Sequence, residues 1–103
     1  MDRIVKLKEF LQAKPDDSFI QHALALEYVK TGDLGEAKRL FENILTRDEN
    51  YIGSYYHLAK LLESMNQKEN AISWYEKGMV KAKELGDMHA FNELMGAYED
   101  LVY

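Results

Sequence analysis

At 103 residues, with 47% hydrophobic residues, 12% aromatic residues and one proline, the chain is the size of a single domain and can bury a core. Its 13 cations and 18 carboxylates give a net charge of -5 and are mixed along the chain. This excludes the basic stripe expected of a nucleic-acid binder. The absence of cysteine excludes disulfides, thiolate metal sites and cysteine nucleophiles.

No apolar run approaches the ~18 residues that a membrane helix needs. Charges at Asp2, Arg3, Lys6, Lys8 and Glu9 break up any signal-like stretch. The expectation is a soluble, cytoplasmic protein without a membrane span.

Apolar residues recur at three- and four-residue spacing almost throughout, and strand-like alternation is missing, so the chain reads as all-α. The first helix is predicted over about Asp2 to Ala13, stopped by Lys14-Pro15. The second starts after Asp17 or Ser18, where Ser18 and Gln21 are placed to form a capping box, and ends at Thr31-Gly32. The third starts at Asp33, with Glu36 as a weaker version of that cap, and runs to about Arg47. The fourth spans about Tyr51 to Met65. Asn66 can close it and, with Glu69, open the fifth, which reaches Leu85. Gly86-Asp87 ends the fifth and caps the sixth, from about Met88 to Leu101. Loops this short force neighbouring helices antiparallel.

The chain also resembles itself. A shift of 34 residues places Leu24-Ala25 on Leu58-Ala59, Ala37 on Ala71, Phe41 on Tyr75 and Leu45 on Met79. The first helix fits one shift earlier, with Leu7, Phe10 and Leu11 on Phe41, Ile44 and Leu45. The last fits at 36, with Tyr55, Leu58 and Leu62 on Phe91, Leu94 and Tyr98. Alanines at 25, 37, 59 and 71 would let the helices of each hairpin approach closely, while Leu24, Phe41, Leu58 and Tyr75 fill the space beside them.

This period and pattern resemble the tetratricopeptide repeat (TPR) family, a helix–turn–helix unit with the pattern W-x2-L-G-x2-Y, then A-x3-F. The first unit reads Gln21, Leu24, Ala25, Tyr28, Ala37 and Phe41, and the second Tyr55, Leu58, Ala59, Leu62, Ala71 and Tyr75. Departures are Gln21 for the opening aromatic, Asn66 for the turn glycine, and Glu49 and Lys83 for the junction proline. The resemblance implies a right-handed superhelical stack of antiparallel helix pairs. Its parts are a half repeat at 2–17, repeats at 18–51 and 52–85, and a terminal helix at 87–103.

The resemblance also implies a concave side lined by the first helix of each unit. The groove residues are then Phe19, His22, Leu26 and Val29 on the second helix, and Gly53, Tyr56, Lys60 and Glu63 on the fourth. The last helix adds His89, Asn92 and Gly96. A peptide or partner helix is the expected guest, anchored on Phe19, Leu26 and Tyr56, with Lys60 facing a carboxylate. The competing reading makes Leu26 and Val29 ordinary packing residues. The family's clamp for acidic chaperone tails uses Lys and Asn, whereas the matching places here carry His22, Leu26 and His57. Lys60 alone is no clamp.

His22, His57 and His89 stand on three separate helices at non-equivalent repeat positions. With stacked helices ~10 Å apart, shared metal ligation is not expected, and no cofactor is implied. No phosphate loop, H-E-x-x-H or G-x-S-x-G occurs, so no enzyme is expected. The first and last helices nevertheless carry many apolar residues, including Phe10, Leu11 and Leu101-Val102-Tyr103. Solenoid ends normally show a polar outer face. Self-association through these helices, as a homo-oligomer, is therefore the alternative to a groove-binding scaffold.

Overall fold

The computed structural model describes residues 2–103. In chain order the helices are α1 (Arg3–Ala13), α2 (Ser18–Thr31), α3 (Leu34–Arg47), α4 (Gly53–Ser64), α5 (Lys68–Leu85) and α6 (Met88–Val102). No strand occurs among the described residues. Each helix packs chiefly on its sequence neighbours, and α4 also touches α6. The molecule is accordingly elongated, 42 × 29 × 20 Å.

The punctuation seen in the sequence works at most ends. Gly32 and Gly86 take the left-handed conformation, with φ of 85° and 72°, and close α2 and α5. Asn66 does the same after α4, at φ 60°. Asparagine tolerates this region better than most residues, so it substitutes for glycine there. Asp2, Asp17 and Asp87 each accept a bond from a backbone N–H of the first turn of α1, α2 and α6.

Three predicted caps are corrected. Asp17, not Ser18, caps α2, and Ser18 Oγ instead donates to Asp48. Asp33 precedes α3 without capping it, because its carboxylate accepts from Thr31 while Glu36 pairs with Arg39. Gln67, not Asn66, precedes α5, and it makes no side-chain cap. In each case a nearby side chain outcompetes the helix terminus, or the local backbone aims the side chain elsewhere.

The core is one continuous seam. Ala25, Ala37, Ala59 and Ala71 have no exposed surface, and Leu58, Phe41 and Tyr75 fill the space around them. Small side chains let the paired helices approach while the large ones interlock. In the second repeat Gly78 goes further. A Cβ there would stand 2.8 Å from Tyr55 Cβ and 3.0 Å from Leu94 Cδ1. The missing side chain is what lets α5 close on both α4 and α6.

Candidate protein-binding face

Equivalent positions of α2, α4 and α6 carry the expected groove residues. On α2, Phe19 is 72% exposed, Val29 is exposed, and His22 and Leu26 are half-buried. These four line a hollow of about 510 Å³ with Ala23, Glu27, Lys30 and, from α1, Arg3. Glu27 lies between the two cations, 3.5 Å from Arg3 and 3.1 Å from Lys30. Arg3, Glu27 and Lys30 were not among the sequence-derived site residues. The Glu27–Lys30 pair was visible as an i,i+3 spacing, but the approach of Arg3 from α1 required the fold.

The remaining residues do not line that hollow. On α4, Gly53 and Lys60 are exposed and Tyr56 and Glu63 half-buried. Tyr56 packs edge-on to His57 with ring centroids 5.5 Å apart. Glu63 is occupied in part within the domain: it accepts a hydrogen bond from the buried Tyr75 hydroxyl and lies 3.9 Å from Lys60. On α6, His89, Asn92 and Gly96 are exposed.

The histidines depart from expectation. His22 and His57 lie with ring centroids 5.3 Å apart in an edge contact across the α2–α4 junction, although helix spacing argued for separation. Both rings point into the junction, so the axis-to-axis distance does not limit them. His22 Nδ1 shares a 2.8 Å hydrogen bond with Ser54 Oγ, and its ring also meets Phe41 and Tyr51. Burial, and secondarily the neighbouring His57, pushes the His22 pKa down to about 4. Burial lowers His57 too, opposed by Glu93 on α6. His89 is exposed on α6. Among the described residues no three metal-ligating side chains converge. Ser54 was not foreseen; its signal was only a polar residue at a position where the repeat equivalents, Ile20 and Ala90, are apolar.

A second hollow of about 510 Å³ lies along α5, between Tyr55, Ser73, Lys77 and Val80. Its Lys81 is already paired with Glu49 and Glu84, and Lys77 stacks over Trp74 at 4.5 Å. It contains none of the residues that the repeat pattern places on the groove side.

Comparison with known proteins accounts for this architecture. The tetratricopeptide repeat family model matches residues 20–51 and 52–79, and the chain belongs to that family. It is similar to the solution structure of a tetratricopeptide repeat domain protein from Salinibacter ruber. The two are 36% identical, with a TM-score of 0.82 over 85% of this chain and 89% of that one. It is also similar in fold to a Bordetella parapertussis protein solved in solution, at 21% identity and a TM-score of 0.85, covering 98% of this chain and 88% of that one. The crystal structure of MamA shares the fold at 18% identity and a TM-score of 0.69, covering 96% of this chain and 64% of that one. A comparison with curated proteins finds no match. The repeats make the chain a protein-interaction scaffold of a generally non-enzymatic family. No helix among the described residues is long and apolar enough to cross a membrane.

Proposed function

We propose that the face formed by equivalent positions of α2, α4 and α6 holds an extended peptide or a helix of a partner protein. The observation that carries this reading is Phe19. Its side chain lies open to water at 72% exposure, beside Leu26 and Val29 in the same hollow. A large aromatic in that setting contributes little to folding, whereas aromatic anchors dominate binding surfaces. Tyr56 continues the face on α4, with an apolar body and a polar tip. Lys60, 49% exposed, is available to a partner carboxylate despite its loose contact with Glu63. His22 has a structural part to play at the junction, so it is a poor probe of binding.

The test is affinity capture from the native cell lysate with wild type, Phe19→Ser and Tyr56→Ala side by side. Both variants should keep the wild-type helical spectrum. The reading requires a partner held by wild type and lost, or sharply reduced, with either variant. A partner retained equally by all three refutes the groove assignment.

A further inference from the structure

We infer that the guest of the groove is a peptide segment with two unlike blocks, apolar residues lying on α2 and lysines or arginines lying on α6. This rests on the groove reading above and specifies the chemistry of its guest. On α2, Phe19, His22, Ala23, Leu26, Val29 and Lys30 line the hollow. Shifts of 34 and then 36 residues carry these positions onto α4 and α6. The three helices differ in kind there. Phe19, Leu26 and Val29 make α2 apolar, with Lys30 its only charge at these positions. On α4 stand Tyr56 and a cation with its own carboxylate, Lys60 and Glu63, 3.9 Å apart. On α6 the same positions hold three exposed carboxylates, Glu93, Glu99 and Asp100, and no lysine or arginine.

Two neighbours across the junction orient these carboxylates. Glu93 lies close enough to His57 of α4 to oppose the lowering of its pKa by burial. Asp100 lies close enough to Tyr75 to disfavour ionisation of that hydroxyl, which donates to Glu63 of α4. Glu99 is the repeat equivalent of Glu63 and of Val29 in the hollow. Among the described residues none of the three is in an ion pair. Lys83, the cation nearest α6 in sequence, lies over Phe91 instead. Elsewhere along the groove the negative charge is compensated: Glu27 sits between Arg3 and Lys30, and Glu63 between Tyr75 and Lys60. At α6 it is not, so a guest cation is attracted there and a guest carboxylate repelled. At α2 the open apolar side chains favour an apolar anchor. Helix axes ~10 Å apart put α2 and α6 ~20 Å apart. The two blocks are then about six residues apart in an extended guest and about thirteen in a helical one.

Selection from a displayed library of random peptides about sixteen residues long, enough for either spacing, tests this on the full chain. Immobilised wild type should enrich peptides that combine both blocks. The best-enriched peptide, followed by fluorescence anisotropy, should bind more weakly as salt rises. Glu99→Lys together with Asp100→Lys reverses the field of α6 in its last turn, where lysine suits the helix dipole, so this variant should fold. It should bind that peptide about tenfold or more weakly and should no longer enrich basic blocks. Phe19→Ser should also weaken binding while leaving its salt dependence in place. Enriched peptides that are apolar without basic residues, or acidic, overturn the inference; the groove reading survives if Phe19→Ser weakens them. Basic peptides that depend on α6 but ignore Phe19→Ser overturn the two-block guest. Affinity that ignores every variant, or no enrichment over the bare support, refutes the groove reading as well.

Discussion

The two repeats solve one packing problem with different chemistry. In the repeat matched at residues 20–51 the opening position is Gln21, and in the repeat matched at 52–79 it is Tyr55. Gln21 Nε2 donates to the Pro15 carbonyl at 2.9 Å, and the Tyr55 hydroxyl donates to the Glu49 carbonyl at 2.6 Å. The two acceptors are themselves 34 residues apart, so the same backbone junction is tied by the same bond from an amide or a phenol. The larger tyrosine is matched across the hairpin by a smaller partner: Ile44 in the first repeat corresponds to Gly78 in the second. The first repeat is therefore polar at its mouth and meets the second through histidines, whereas the second is aromatic and meets α6 through a dry Tyr55–Gly78–Leu94 contact. The repeat constrains where bonds and volume must be, not which residue supplies them.

The sharpest break in this comparison is at the dry contact. Gly78→Ala places a Cβ within 2.8 Å of Tyr55 Cβ, which belongs to a fixed part of a buried side chain. The helices must separate, and the gain in helix propensity of alanine over glycine, about 1 kcal/mol, is too small to compensate fully. A net loss of about 1–3 kcal/mol is expected in urea unfolding. Gly35→Ala, in the first repeat, meets nothing within 4 Å and should not destabilise.

The histidine junction should instead respond to pH. The folded-state pKa of His22 is pushed from 6.5 down to about 4. Between these values the unfolded chain binds the proton and the folded chain resists it, so stability falls as pH drops through that window and is unaffected by this group above it. Part of the ring reaches water, so the loss near pH 4 is about 1–2 kcal/mol rather than the full linkage value. His22→Gln retains a hydrogen-bonding partner for Ser54 and removes the titration. Its denaturation midpoint should decline less than that of wild type between pH 6.5 and 4, measured in parallel because carboxylates titrate nearby.

Six helices and their order were legible because the apolar periodicity is nearly unbroken and because Gly32, Asn66 and Gly86 mark ends through backbone sterics alone. The alanine seam was legible because a 34-residue shift superposes it. Caps were read less well. Ser18 and Glu36 have the right spacing, yet long-range Asp48 and local Arg39 respectively engage them. The candidate face divides in the same way. Repeat equivalence placed Phe19, Tyr56 and Lys60 on the first helix of each repeat, α2 and α4, but it carries no information on side-chain partners. It could not show Tyr75 engaging Glu63, Arg3 reaching Glu27 from another helix, or His22 and His57 converging at one junction. Those depend on how the hairpins meet.

The smallest expected effect bears most directly on the equivalence of the two junction bonds. Tyr55→Phe removes only the hydroxyl that reaches Glu49, and should cost about 1 kcal/mol, the ordinary net worth of a hydrogen bond. Gln21→Leu should cost a similar amount for the Pro15 bond, with an addition because Arg47, which donates to Gln21 Oε1 at 2.6 Å, loses that acceptor. Arg47 stays within 3.7 Å of the exposed Asp16 carboxylate, so the addition is small. Gln21→Glu separates the two parts. It keeps an acceptor for Arg47 and abolishes the donor to Pro15, so it should lose the junction bond while strengthening the arginine contact. If Tyr55→Phe and Gln21→Leu differ by several kcal/mol in urea unfolding, the bonds are not interchangeable, and the symmetry between the junctions is one of position only.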